Sequence, residues 1–280
     1  MPLGISTYSY WHFQGAPHPP ERVLEAAARL GVTGVEVLEM QLGEDAGTPR
    51  LHALRRQALT LGLDLYGLAT HQDFVSPDAQ ARAAQVRRTE RSLQVAAELG
   101  AGCIRVNSGR WKTIPDFTAF MAAGGVEPPL PGWTQDDAFG WVQGCLERLL
   151  PAAERAGVVL ALENHWGLTA NASGVLRLLD ALPSPWLAAV ADTGNYLGGA
   201  PDRYAQLAAL AARAVLVHAK SYIGGGVWYD LETDFNRVGR ILSAAGYRGY
   251  VSLEFEGRAD PETAVAQALA ELRHGLAGGA

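Results

Sequence analysis

The stretch 158–165, VVLALENH, opens as an uninterrupted apolar run and ends on a carboxylate and an imidazole. A continuous apolar run is the mark of a strand buried on both faces, as in parallel sheets covered by helices. Three later stretches repeat it: LAAVADTG at 187–194, AVLVHAKS at 214–221 and GYVSLEFEG at 249–257. Each becomes ionisable only near its end, at Glu163, Asp192, His218 and Glu254. An unpaired carboxylate there costs several kcal/mol, so packing gives no reason for the pattern. A metal ion held where the four strand ends converge accounts for all four residues together.

Outward from this stretch, short apolar runs alternate with Ala/Leu/Arg-rich stretches of helical period. Strands are expected at Leu3–Tyr8, Gly34–Glu39, Asp64–His71, Cys103–Ser108, Val158–His165, Leu187–Thr193, Ala214–Ser221 and Gly249–Glu256. Helices are expected near Glu21–Leu30, Pro49–Leu61, Asp78–Leu99, Gln135–Ala156, Ala172–Leu182, Asp202–Ala212, Asp234–Ala245 and Pro261–Gly275. Gly31, Gly62, Gly100, Gly157 and Gly246 close helices, and Pro20, Pro49, Pro201 and Pro261 stand near helix starts. Eight β/α units with right-handed crossovers point to an α/β fold, a single (β/α)₈ TIM barrel covering residues 1–280 as one domain. An open doubly wound sheet is the alternative, weakened because no G-x-G-x-x-G follows the first strand. The segment Arg110–Trp133 makes an extended loop after strand four. Rich in Pro and Gly, it reads as a lid or as a contact between copies of a homo-oligomer.

With 48% hydrophobic and 19% charged residues, the chain has ample material for a large core. A formal net charge of −6 argues against nucleic acid as the partner. The N-terminus has no basic, apolar leader and no stretch approaches ~20 apolar residues, so no membrane association is expected. Cys103 and Cys145 lack zinc spacing and read as reduced packing residues of a cytoplasmic protein. Of 23 basic residues only Lys112 and Lys220 are lysines, which singles out Lys220 beside His218 as a place that wants a compact ammonium.

Residues two apart on a strand share a face. Glu163 therefore shares its face with His165, His218 with Lys220, and Glu254 with Glu256. Three carboxylates and one imidazole form a mainly oxygen-donor shell, suited to Mn²⁺ first, with Mg²⁺, Co²⁺ or Zn²⁺ as alternatives. Taken singly, each residue has an ordinary reading: Asp192 a cap or turn residue, His218 a core histidine, a strand-end carboxylate an ion-pair partner. His71 ends strand three and Trp11, Trp111, Trp166 and Trp228 follow strands one, four, five and seven, where aromatic faces suit the C–H face of a sugar or packing on one another. Glu36, Arg105 and Asn107 stand at further strand ends, with a buried Glu36–Arg105 ion pair as the plain explanation for the first two.

The segments ALENHWG, VADTGNY, LVHAKSY and VSLEFEG, with GVEVLE at strand two and THQDF at strand three, resemble the xylose-isomerase-like TIM-barrel superfamily, in its sugar-phosphate isomerase/epimerase branch. The resemblance spans essentially the whole chain, and the order Glu, Asp, His, Glu is its mark. It implies that Glu163 and Glu254 bind the metal and also move protons, while Asp192 and His218 are ligands only. It further implies a divalent-metal-dependent isomerase or epimerase of a small sugar or keto-sugar, working through a metal-stabilised enediolate without an organic cofactor. His71, His165, Asn195, Lys220, Glu256, Trp11 and Trp166 are then the expected substrate contacts.

Two departures stand out. Ketose 3-epimerases of this family usually carry a histidine where this chain has Asn195, and an arginine after the strand-seven histidine, where Ile223–Gly226 has none. The same scaffold also supports dehydration of a keto-polyol, a lyase reaction. An endonuclease IV-like phosphodiester hydrolase needs further metal-binding histidines that this chain does not supply.

Overall fold

The computed structural model describes residues 1–13, 15–43, 46–196 and 202–278. Pro201, expected at a helix start, lies outside them. Strands β1 (Leu3–Ser6), β2 (Gly34–Leu38), β3 (Asp64–Ala69), β4 (Cys103–Val106), β5 (Val159–Glu163), β6 (Leu187–Asp192), β7 (Ala214–Ser221) and β8 (Tyr250–Phe255) close in sequence order into one parallel barrel, β1 pairing with β8. Helices α1 (Pro20–Arg29), α2 (Thr48–Thr60), α3 (Ala79–Leu99), α5 (Gln135–Ala156), α6 (Ala172–Ala181), α7 (Arg203–Ala211), α8 (Phe235–Ala244) and α9 (Pro261–Gly278) form the outer layer, and a short α4 (Phe117–Ala122) lies between β4 and α5. The expected TIM barrel is the observed fold. Its first strand is shorter than expected: pairing stops at Ser6, and Thr7–Tyr10 winds into a 3₁₀ turn. Gly100 and Gly157 end α3 and α5 at φ 81° and 65°, the left-handed conformation that a Cβ would disfavour. Among the described residues no helix is long and apolar enough to cross a membrane.

The period of two along each strand stacks the barrel interior in layers. The lowest is apolar, with Cys103, Ala161, Val190 and Leu216 beside the rings of Tyr66 and Tyr250. These rings stack at 4.0 Å and 13° and floor the barrel. A Cβ on Gly4 would lie 2.3 Å from the Tyr66 ring, so glycine there makes room for the plug. Two residues further along the same strands the layer turns polar: Arg105, Glu163, Asp192, His218 and Ser252, with Glu36 from β2. Register then aligns Lys220 with Glu254 one step nearer the mouth.

The long loop after β4 is ordered by one carboxylate. Glu127, 8% exposed, accepts from the backbone N–H groups of Lys112 (2.8 Å) and Ile114 (3.0 Å) and from the Arg110 guanidinium (3.0 Å). Asp116 caps α4 by accepting from Ala119 N. The strap so formed carries Phe117 against Trp166 (4.8 Å) and Trp228 (4.9 Å), over the barrel mouth.

Candidate active site

β5, β6, β7 and β8 deliver Glu163, Asp192, His218 and Glu254 into one cluster, fully buried, with one donor atom from each inside 4.8 Å of the others. His218 Nδ1 faces all three carboxylates: Glu163 Oε1 at 2.8 Å, Glu254 Oε1 at 3.5 Å and Asp192 Oδ2 at 3.8 Å. Its other nitrogen, Nε2, is engaged by Glu36 Oε1 at 3.1 Å. Backbone N–H groups of Gly194 and Asn195 clamp Asp192 Oδ1 at 2.6 and 2.8 Å, leaving Oδ2 without a hydrogen-bond partner. Glu163 Oε2 is likewise buried without one. Orphaned carboxylate oxygens beside an imidazole nitrogen that faces three carboxylates are a donor set that a divalent cation completes.

The electrostatics show the same demand for positive charge. Burial opposes a charge on His218, yet Glu254, Glu36 and the hydrogen bond to Glu163 hold its pKa well above the ordinary imidazole value. Burial raises the pKa of Asp192, with Glu163 and Glu254 adding to it against Lys220. For Glu163 burial is overcome by Arg105, His165 and His218, and its pKa falls well below the usual carboxylate value. Glu254 is lowered too, as His218 and Lys220 outweigh its burial. Imidazolium and ammonium thus serve as counter-ions to a carboxylate-rich layer.

Above the cluster lies a cavity of about 350 Å³. Its charged floor consists of Arg105, Glu163, Lys220, Glu254 and Glu256, with His71 and His165 beside them. Its apolar wall is made by Phe13, Leu38, Phe117, Trp166 and Trp228. Lys220 Nζ stands 2.8 Å from Glu254 Oε2 and 3.6 Å from Glu256 Oε1, while Tyr8 donates to Glu256 at 2.6 Å. Burial brings the pKa of His165 down to about 4 and that of His71 well below the imidazole value. Both rings are neutral hydrogen-bonding groups at pH 7.

Of the expected substrate contacts, His71, His165, Lys220, Glu256 and Trp166 line the cavity. Asn195 and Trp11 are not among the lining residues. The Asn195 amide is committed, donating to Glu163 Oε1 at 3.4 Å and accepting from Tyr229 at 2.8 Å. Trp11 packs on Phe13 at 4.9 Å, and Trp111 is buried edge-on against Trp141 at 5.7 Å. The Glu36–Arg105 ion pair is not formed. Glu36 turns to His218 and Ser252, whereas Arg105 approaches Glu163 Oε2 at 3.5 Å and donates to Thr70 O and Asn107 Oδ1. Sequence reasoning missed Tyr8, Phe13 and Phe117. Phe13 reaches the cavity through a left-handed turn at His12 and Phe13 (φ 52° and 59°) that no glycine announces.

Residues 24–274 match the family model described as xylose isomerase-like TIM barrel. The chain belongs to this family. Among solved structures, this xylose isomerase-like barrel is similar to 3-keto-D-glucoside 4-epimerase from E. coli, at 20% identity over 98% of this chain and 99% of that one, with a TM-score of 0.76. It is similar to an L-ribulose 3-epimerase, at 20% identity over 99% and 95% of the two chains and a TM-score of 0.78. A zinc-bound IOLI protein, at 14% identity over 98% and 96%, gives 0.71. No curated protein matches the chain. At these identities the likeness to solved structures is one of fold.

Proposed function

We propose that the chain is a divalent-metal-dependent isomerase or epimerase, acting as one domain on a small sugar or keto-sugar. The observation that carries this reading is a division within the cluster. Glu163 and Glu254 border both the cluster and the cavity, whereas Asp192 and His218 are 0% exposed and absent from the cavity lining. The first two can touch a substrate and the last two cannot. The epimerases among the similar structures support the same reaction class, and the zinc-bound IOLI protein among those structures supports a metal at this site.

Glu163, Asp192, His218 and Glu254 are the residues that would hold the ion, with Mn²⁺ the best match to an oxygen-rich donor set. A divalent ion there supplies Lewis acidity, making a proton beside a sugar carbonyl more acidic by stabilising the charge that develops on oxygen. Glu163 and Glu254, entering from β5 and β8, take the proton from one face of the sugar and return it to the same or the opposite face. Lys220 steadies the Glu254 carboxylate at 2.8 Å, and the neutral His71 and His165 donate to or accept from sugar hydroxyls. The experiment is proton exchange at the sugar α-carbon in deuterated water. Glu254→Gln is expected to retain metal while exchange falls by about 10² or more, as for loss of a general base. Unchanged exchange removes Glu254 from the acid/base role.

A further inference from the structure

The charges that line the cavity are already matched among themselves. Glu163, Glu254 and Glu256 face it with Asp192 beneath, and the cations among the lining residues are Arg105 and Lys220. Arg105 lies 3.5 Å from Glu163, and Lys220 lies 2.8, 3.6 and 3.8 Å from Glu254, Glu256 and Asp192. Four carboxylates against two cations leave an excess that one divalent ion cancels once His218 has released a proton to ligate it, with no positive charge in reserve among the lining residues. Residues 14, 44–45, 197–201 and 279–280, outside the described set, include no lysine or arginine. Of the basic residues on the loops around the mouth, Arg110 is committed to Glu127 and Lys112 to Asp73, and Arg258, exposed on the loop after β8, is not among the residues that line the cavity. A phosphate brought onto this floor meets carboxylates at low dielectric without a free partner.

The apolar wall makes the complementary statement. Its aromatic members come from loops after β1, β4, β5 and β7, so they stand nearer the mouth than the strand-end charges. Phe117 bridges Trp166 and Trp228 at 4.8 and 4.9 Å, the second contact being perpendicular. A single sugar ring fills roughly the volume of six waters, about 180 Å³ at ~30 Å³ each. The cavity of about 350 Å³ has room for a second ring beside the aromatic wall.

We propose that the substrate is an uncharged glycoside with a keto group on its reacting ring: that ring lies over Glu163 and Glu254, a second ring packs against Phe117, Trp166 and Trp228, and sugar phosphates are rejected. This rests on the sugar-enzyme reading above. Calorimetry and tryptophan fluorescence on the Mn²⁺-loaded protein test it with D-fructose, D-fructose 6-phosphate, methyl β-D-glucoside and phenyl β-D-glucoside. The phenyl glucoside is expected to bind about tenfold more tightly than the methyl glucoside, the size of one good aromatic contact. D-fructose 6-phosphate is expected to bind more weakly than D-fructose. Phe117→Ala brings the phenyl-to-methyl ratio close to one. Trp228→Leu does the same if the strap of the first variant does not fold. Tighter binding of the phosphate, or a phenyl-to-methyl ratio near one in the unaltered protein, overturns the proposal. Binding in the expected order without proton exchange on any sugar overturns the isomerase reading alone. Exchange confined to a sugar phosphate keeps that reading and overturns this one.

Discussion

Glu36→Gln separates orientation of a metal ligand from supply of one. Glu36 is fully buried and takes no place in the four-residue cluster, yet its Oε1 accepts from His218 Nε2 at 3.1 Å. Its Oε2 accepts from Ser252 at 3.4 Å, and Ser252 in turn accepts from Tyr66 at 2.6 Å. With a metal ion bound, this carboxylate would keep the His218 proton on Nε2 and leave the Nδ1 lone pair to the ion. Glutamine keeps the length of the side chain but loses the negative charge, and a charge-assisted hydrogen bond is roughly twice as strong as a neutral one. The carboxylate also raises the proton affinity of His218, so its removal eases competition from H⁺. That gain is the smaller effect, because a doubly charged ion responds more strongly to the lost charge than a proton does. Loss of such an outer partner costs about 10–100-fold in metal affinity, equivalent to about 1.4–2.8 kcal/mol. Competition of the metal-free protein with a chromophoric chelator for Mn²⁺ or Zn²⁺ measures the affinity, and the Co²⁺ visible spectrum reports on the ligand set. Affinity within twofold of the unaltered protein, with an unchanged Co²⁺ spectrum, refutes the reasoning.

Three further outcomes follow from the geometry, beside the Glu254→Gln result above. Metal uptake displaces protons from His218 and Asp192, whose pKa values are both raised, so apparent affinity weakens as pH falls; calorimetry at pH 7 in buffers of different ionisation enthalpy is expected to show proton release, and identical heats count against it. Gly4→Ala pushes a methyl into the Tyr66 ring and is expected to cost about 1–3 kcal/mol, seen as a lower Tm; an unchanged melt means the plug yields without cost. Glu127→Ala strips the strap of the acceptor for two backbone N–H groups and Arg110, so proteolysis within residues 110–133 is expected to accelerate about tenfold or more, and equal cleavage rates refute the anchoring role.

The strand ends were legible because two independent patterns coincide there: an apolar run sets the strand, and an ionisable residue breaks it where a barrel opens. Period-two alternation also placed His165, Lys220 and Glu256 correctly beside the cluster, since it depends on local geometry alone. Pairing across the barrel was not legible. The register of β2 on β3 shifts between Val35 and Glu36, setting Glu36 opposite Gly67, and no local pattern says that it will meet His218 rather than Arg105. The aromatics failed for a similar reason. Position after a strand places Trp11, Trp111 and Trp166 on loops of the same face, but only packing decides that Trp111 turns into the core against Trp141 while Trp166 faces the cavity. The short helix that Asp116 caps lies inside a segment whose Pro and Gly content read only as loop, and Glu127 shows its donors only in three dimensions.

The stacked pair of Tyr66 and Tyr250 gives the interior a blind end. From that floor the Tyr66–Ser252–Glu36–His218 chain is hydrogen-bonded without a gap up to the cluster, so traffic through the barrel has no lower exit. Whatever enters beneath the Phe117 strap must leave by the same mouth. For the enzyme proposed above, turnover would be a matter of exchange at one doorway, in which each departing molecule holds up the next.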